Sequence, residues 1–398
     1  MIVDILQYAT SKVPFYYKYS TYNNTPIIGK NDIQNNYNKF ISKDYIHKKL
    51  IKYYTSGSSG MPLCVFFSKE EIINCGVQLW RERMRHYKNL FNIPMIMFVC
   101  DVKKEKGKNP FDGMYISGNQ IEISLLKINL NFIKRCVAVL SKIKKVWMSG
   151  QPSIIASVAK IFKENNIGLS NVEFVELVGE MLFYEQRKII SDYISCNIAN
   201  LYGTTEFHAI AYECKFHNLH IMDKKVFVEI FDNGVEVGYN KEGEIIISDL
   251  VKKSMPLIRY NIGDIGILQK SKCKCGSKSD ILILSGGRVS ESVKLKNKVI
   301  IHPWIFAMAV RRINSLLGKI IITKFQIHQK EYDFFYVKLV LDNGELNEGL
   351  SRKYISNRIS DEIINRLNYK VNIEYAFVDE IDIDSVSKKF KYFYPIKE

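Results

Sequence analysis

The sequence contains no long hydrophobic run. A membrane helix needs roughly 18 apolar residues in a row, and residues 94–100 are about the longest such stretch here. No secretory leader is expected from MIVDILQYATSK, which has no basic start and whose apolar part Asp4 and Gln7 interrupt. There is no internal repeat, no low-complexity tract and no long Pro/Gly/Ser linker, which excludes collagen-like and intrinsically disordered chains. Acidic residues are in deficit, 41 against 57 Lys and Arg, for a formal charge of +16. That surplus forms no basic tail. Residues 291–398 hold 18 basic and 14 acidic residues, and the rest holds 39 and 27. The densest clusters, KKEKGK at 103–108 and KIKK at 142–145, are short and poor in aromatics. They read as solvated surface rather than a nucleic-acid stripe. A soluble, cytoplasmic protein with no nucleic-acid or membrane partner is expected, whose diffuse positive field attracts anionic ligands or acidic proteins.

What is present is 398 residues at 47% hydrophobic and 25% charged, enough for two or three domains with a sizeable core. After some 50 residues of helices and loops rich in Tyr and Asn, a strand-like KYYT runs into a Ser/Gly loop. A helix is predicted from Ser68, where Ser68 and Glu71 fit a capping box. Strands at 171–177 and 197–202 alternate with helices at 153–165 and 183–193, the pattern of a parallel α/β core. Residues 208–285 change to short alternating strands with Gly/Asn turns and read as a β-rich subdomain. From residue 288 a β-β-α-β set reads as a small separate α+β domain. The predicted domains are therefore 1–287 and 288–398.

The loop Thr55, Ser56, Gly57, Ser58, Ser59 and Gly60 offers backbone N–H groups and short hydroxyls to phosphate oxygens, and is placed between a strand and a helix. No Gly-Lys-Ser/Thr follows, so it is not a Walker A loop. Three more elements follow in order. Tyr202, Gly203, Thr204, Thr205 and Glu206 end a predicted strand. YNIGD places Asp264 after a turn glycine, and GRVSESVK begins at Gly287 and Arg288 at the composition break.

Together these motifs resemble the acyl-adenylate-forming superfamily, whose patterns are TSG[ST]TGxP, YGxTE, YRTGD and GRxDD followed by a lysine. Gly179 and Glu180, and GQPS at 150–153, look like further family positions. The stretch with Cys214 and His220, then MPLIRY, then CKCG at 273–276, is similar to the phenylacetate–coenzyme A ligase-like branch. The resemblance covers residues 50–310 well and the ends in outline.

It implies a large α/β adenylation domain with a mobile C-terminal domain, and two half-reactions. A carboxylate attacks the α-phosphate of ATP, releasing pyrophosphate and forming an acyl-adenylate; a thiol then displaces AMP. By resemblance the 55–60 loop holds the β- and γ-phosphates, Tyr202 stacks on adenine, and Gly179 and Glu180 line that pocket. Thr205 bonds the α-phosphate, Glu206 holds Mg²⁺, Asp264 takes the ribose hydroxyls, and Arg288 reaches ribose or phosphate. The implied catalytic lysine is Lys389, with Lys388 beside it. The acid is expected to be aromatic and the acceptor coenzyme A. An acidic acyl carrier protein or an amine is the alternative acceptor, and a non-catalytic binding homologue is the third reading. The chain departs from the patterns at Leu63, Asn261, Ile262 and Ser290, and SVSKKF has no glycine before its lysines.

Cys214, His220, Cys273 and Cys275 suit a closed tetrahedral zinc site, with His217 as the alternative to His220. The branch has a similar set. Four protein ligands leave no open position, so the implied role is structural. The other five cysteines, 64, 75, 100, 136 and 196, read as small core residues.

Overall fold

The segments 146–150 and 172–178 are strands buried along most of their length, as parallel strands covered by helices on both faces must be. In a computed structural model, all residues are described except 56–62, 100–107, 125–126, 195, 289–292, 297–299, 302, 318–320, 343–350, 368, 383, 385–389 and 397–398. The chain divides into two units, Met1–Gly179 with Ser191–Ser285, and Glu180–Ile190 with Gly286–Glu398.

The first unit begins with helices α1 (Ile2–Lys12) and α2 (Lys30–Asn35), then the antiparallel hairpin β1 (Ile51–Tyr54) and β2 (Cys64–Phe67). Helix α3 (Lys69–His86) leads to β3 (Met95–Val99), β4 (Lys108–Phe111), β5 (Met114–Ser117) and β6 (Gln120–Ser124). Right after come α4 (Leu130–Leu140), β7 (Val146–Gly150), α5 (Pro152–Asn165) and β8 (Val172–Val178), then α6 (Tyr184–Ile194), whose residues up to Ile190 belong to the second unit, and β9 (Asn197–Thr204) of the first. Strands β6, β3, β7, β8 and β9 pair in parallel, in that order, which matches the expected α/β core. Helix α5 shows why the local sequence folds so. Pro152 sits at its first position, Asn166 closes it at φ +49°, and Ile155, Val158, Ala159 and Phe162 form its buried stripe.

The next strands are β10 (His208–Glu213), β11 (Leu219–Ile221), β12 (Val226–Asp232), β13 (Val235–Glu236), β14 (Glu242–Asp249), β15 (Tyr260–Gln269) and β16 (Ile281–Arg288). Antiparallel pairing joins β9 to β10, β10 to β11, β11 to β16, β12 to β13 and β14, and β14 to β15. The β-rich stretch therefore does not begin a second sheet. It continues the parallel strands into one sheet, of 14 strands among the described residues, because β10 folds back directly onto the edge of β9. The α1–α2 segment packs on this antiparallel part through buried Leu6, Tyr16, Ile28, Ile33 and Phe40. Ile28 exchanges backbone hydrogen bonds with Arg259 and Asn261, and the Tyr16 hydroxyl accepts from the Ile258 amide at 3.1 Å.

In the second unit, β17 (Val293–Lys294) and β18 (Ile300–Ile301) form a short pair, and α7 (Trp304–Leu316) follows. The hairpin β19 (Ile322–Glu331) and β20 (Phe334–Leu341), helix α8 (Arg352–Leu367), β21 (Asn372–Phe377) and β22 (Phe393–Tyr394) complete it. The sheet order β21-β20-β19-β22 is antiparallel at its centre and parallel at both edges. Helix α8 buries Ile355, Ile359, Ile363 and Leu367, one residue per turn, into a core with Phe306, Phe335 and Phe393. Among the described residues no helix is long and apolar enough to cross a membrane.

The expected helix is in place as α3, and a further strand precedes it, since Cys64–Phe67 pairs with Ile51–Tyr54. In that pairing CVFF lies against IKYY and buries Val65 and Phe67. The capping box at Ser68 and Glu71 is present as expected, with reciprocal bonds of 3.2 and 2.7 Å.

Candidate functional site

The turn between β9 and β10 carries Thr204, Thr205 and Glu206. Gly203 is required there: a Cβ would lie 2.1 Å from the His208 carbonyl oxygen, so only hydrogen lets the two strands close so tightly. Beyond the turn the backbone stays irregular. His208 has φ +54°, and the register slips between Ala209 and Ala211. The Thr204 hydroxyl accepts from the Phe207 amide at 3.4 Å.

Strand β15 brings the next motif alongside. The Tyr202 hydroxyl donates to Asp264 at 2.6 Å, and the Tyr260 hydroxyl donates to Glu206 at 3.2 Å. Asp264 sits at an irregularity within β15, where the register with β14 shifts. Asn261 accepts from the Gly263 amide at 2.8 Å and donates to Glu244 at 2.5 Å, while Gly263 takes φ +80°. Asn261 and Ile262, the departures from the family pattern, thus have defined roles. Asn261 holds the irregular stretch of β15 through the Gly263 amide, and Ile262 packs on the core.

Residues that sequence reasoning missed surround this turn. Lys225 donates to the carbonyls of Phe207 and Ala209, and Lys252 donates to the carbonyl of Glu206 at 2.9 Å. Both lysines are 1% exposed. Burial pushes both ammonium groups below the ordinary lysine range. The His208 ring packs on Phe67 at 4.5 Å and Tyr53 at 5.2 Å, so the turn touches the base of the β1–β2 hairpin. Burial, together with the charges of Lys225 and Lys252, pulls His208 down to about 4, leaving it neutral. No signal in the residue types would have marked these lysines, because a lysine before an apolar strand is ordinarily solvated.

Other expected site residues are placed as follows. Thr55 closes the hairpin: its hydroxyl accepts from the Leu63 amide at 2.9 Å, and its own amide donates to the Leu63 carbonyl. Ser56, Gly57, Ser58, Ser59 and Gly60 lie outside the described residues, as do Lys388, Lys389 and Ser290. Gly179, at φ +88°, ends the first of the two segments of the first unit, and Glu180 opens a segment of the second, where its carboxylate accepts from the Phe390 amide. Arg288 is the last residue of β16, and its side chain is outside the described set.

A second cluster lies on the antiparallel part of the sheet. The ligand atoms of Cys214, His220, Cys273 and Cys275 all fall within 4.8 Å of one another. Cys214 and Cys273 sulfurs are 3.6 Å apart, and Cys275 Sγ is 3.2 Å from His220 Nε2. Tetrahedral ligands at a Zn–S distance of about 2.3 Å stand about 3.8 Å apart, so the four atoms already approximate such a shell. His220 Nδ1 faces the Ser279 carbonyl at 2.9 Å, which fixes the tautomer that leaves Nε2 as a ligand. Amides of Phe216, Cys275 and Ser277 and the side chain of Asn218 donate to the sulfurs. Burial pushes Cys214 up to about 11. At Cys273 burial also acts upward, but bonds from the Cys275 amide, His220, Cys275 and Asn218 outweigh it and bring the thiol to about 6. His217, the alternative ligand, is not in the cluster. It sits in the turn at φ +61° and pairs with Glu213 at 3.1 Å.

Residues 294–394 match the family described as the CapK C-terminal domain. The chain is similar to protein CapK of Staphylococcus aureus, 24% identical over 371 residues that cover 92% of this chain and 79% of that one. It is also similar to the phenylacetate–coenzyme A ligase of Thermus thermophilus, 23% identical over 172 residues, 41% of this chain and 39% of that one. Its fold matches a solved 2-hydroxyisobutyryl-CoA ligase in the postadenylation state in complex with R3-HIB-AMP. The TM-score is 0.72 at 14% identity, over 99% of this chain and 87% of that one. With the YGTTE turn and the aspartate of YNIGD side by side, the chain has the fold of the adenylate-forming coenzyme A ligases and is similar to CapK and to a phenylacetate–coenzyme A ligase.

Proposed function

We propose that the protein activates a carboxylic acid with ATP as an acyl-adenylate and transfers the acyl group to the thiol of coenzyme A. The observation that carries this reading is the turn 202–206 held against Asp264, with Tyr202 hydrogen-bonded to it and Glu206 on the same turn. An aromatic face beside a carboxylate suits a nucleoside, since the base stacks and the ribose diol donates to the acid. In the proposed assignment, Tyr202 takes the adenine, Asp264 the ribose hydroxyls and Thr205 the α-phosphate. Gly179, Glu180 and Arg288 are assigned to the nucleotide by family position, as are Thr55 to Gly60 for the outer phosphates and Lys389 for the adenylation step.

Glu206 is a half-buried carboxylate beside hydroxyl-bearing neighbours, a fit for a hard cation with oxygen ligands. When bound, Mg²⁺ would neutralise phosphate charge during pyrophosphate departure. The side chains do the remaining work by positioning: they align the carboxylate with the α-phosphorus and offer donors where charge accumulates. We assign zinc to the Cys214, His220, Cys273 and Cys275 cluster, because its donor set and spacing suit a closed tetrahedral ion with a structural role. An aromatic acid is the narrower proposal, on family resemblance alone.

The test is ATP–pyrophosphate exchange across a panel of aromatic and aliphatic acids, followed by thioester formation with coenzyme A. Acid-dependent exchange is the expected result. No exchange with any acid, in protein that is folded, refutes the reading. Exchange without thioester moves the acceptor to a carrier-protein phosphopantetheine or an amine.

A further inference from the structure

A buried ammonium must find acceptors, or its burial costs more than the fold can sustain. Lys225 and Lys252, each 1% exposed, find theirs in one short stretch of backbone. Lys225 donates to the carbonyls of Phe207 and Ala209, and Lys252 to that of Glu206. Three carbonyls from residues 206, 207 and 209 thus converge on two cations. A regular antiparallel turn would spend such carbonyls on its own ladder. Here His208 at φ +54° and the slip between Ala209 and Ala211 divert the backbone from that pattern.

The lysines are themselves anchored. Asp249 accepts from the Val251 and Lys252 amides and lies 3.8 Å from the Lys252 ammonium. The buried Glu71 on α3 accepts from the Lys253 and Ser254 amides at 2.7 and 2.8 Å and from the Ser254 hydroxyl at 2.6 Å. The Lys252 ammonium also lies 4.5 Å from the Phe67 ring, which in turn carries His208. Helix α3, the 249–254 loop, hairpin strand β2 and the turn are therefore one connected assembly within the first unit.

A neutral donor could hold these carbonyls equally well. An ammonium adds positive charge beneath the backbone of Glu206, only partly offset by Asp249 3.8 Å from Lys252, where low polarisability makes it act over several ångströms. We infer that Lys225 and Lys252 are positioning residues of the nucleotide site: they hold the 206–209 backbone in the irregular turn that presents Thr205 and Glu206, and their charge favours an anionic ligand there. This rests on the nucleotide reading above and adds two residues to it that touch no substrate.

The test uses full-length Lys252→Met and Lys225→Met, with Lys253→Met, an exposed neighbour, as control. Amide hydrogen exchange on the ligand-free protein reads the turn directly, calorimetry reads Mg·ATP binding, and pyrophosphate exchange reads turnover. In each Met variant, exchange of amides in 204–212 is expected to accelerate about tenfold or more, with the rest of the sheet protected as in wild type. The Kd for Mg·ATP should rise at least about tenfold and kcat fall about 10²-fold, while KM for the acid stays within about twofold, since only the turn is displaced. Lys253→Met should match wild type in all three readouts. Hydrogen exchange and Kd within about twofold of wild type in both Met variants would overturn the inference. So would global unfolding of both, because the lysines would then serve the fold rather than the turn. If wild type itself binds no Mg·ATP, the nucleotide reading fails and takes the binding role with it. The hydrogen-exchange arm still reports separately whether the lysines hold the turn.

Discussion

Replacing Gly203 by alanine tests the geometry of the turn without reference to any substrate. The new Cβ would lie 2.1 Å from the His208 carbonyl oxygen and 3.0 Å from its carbon, both backbone atoms. Ordinary contact begins at 3.4 Å, so the two strands must part by about 1.3 Å or the turn must rebuild. Overpacking of this kind costs about 1–3 kcal/mol and occasionally more. In a unit of this size each kcal/mol moves Tm by roughly 2–4 °C, so a fall of about 2–12 °C is expected. Gly76 is the counterpart. It lies inside α3 with nothing within 4 Å of a built Cβ. Gly76→Ala should therefore stabilise by about 0.5–1 kcal/mol, through helix propensity and a less flexible unfolded chain. Differential scanning calorimetry of the two variants gives opposite signs if the reasoning holds. Pyrophosphate exchange adds a functional arm, since misplacing the turn by about 1 Å should cost about 10²-fold in rate. A Gly203→Ala protein with wild-type Tm would refute the close approach of β9 and β10.

Three further outcomes are expected. Protein prepared without chelator should carry one zinc per Cys214–His220–Cys273–Cys275 cluster by elemental analysis; Cys273→Ser with Cys275→Ser should lose it and His217→Ala should keep it. Zinc retained in the double variant would exclude these ligands. Glu206→Gln should abolish Mg²⁺-dependent pyrophosphate exchange with wild-type circular dichroism, and exchange at the wild-type rate would show that Glu206 does not hold the ion. Lys389→Ala should suppress pyrophosphate exchange about 10²–10³-fold, yet still convert a supplied acyl-adenylate and coenzyme A to thioester. Lys388→Ala should do little, and the reverse pattern would reassign the role to Lys388.

Local spacing carried much of what was legible in the sequence. The α3 capping box, the proline start of α5, the Ile355–Ile359–Ile363 stripe of α8 and the alternation of strands with helices are set by neighbours within one or two turns of chain. For the same reason the order of the Tyr202–Glu206 and Asp264 motifs was readable, and so was the Cys/His set. Their chemistry is written in residue type and short-range spacing. The choice between His217 and His220 was not local. It was decided when Leu219–Ile221 paired with β10 and placed His220 beside Cys275, while His217 was left in the turn with Glu213.

Only tertiary structure decided the rest. Cys64–Phe67 became a strand because Ile51–Tyr54 was there to pair with it. The antiparallel strands became part of the parallel sheet because β10 had the edge of β9 to pair with. Lys225 and Lys252 became interior residues because carbonyls at 206–209 and the carboxylates of Asp249 and Glu71 were brought to them or to their loop from elsewhere in the chain. Burial of a charge depends on acceptors supplied by distant segments, and a lysine in a sequence carries no record of which carbonyls will surround it.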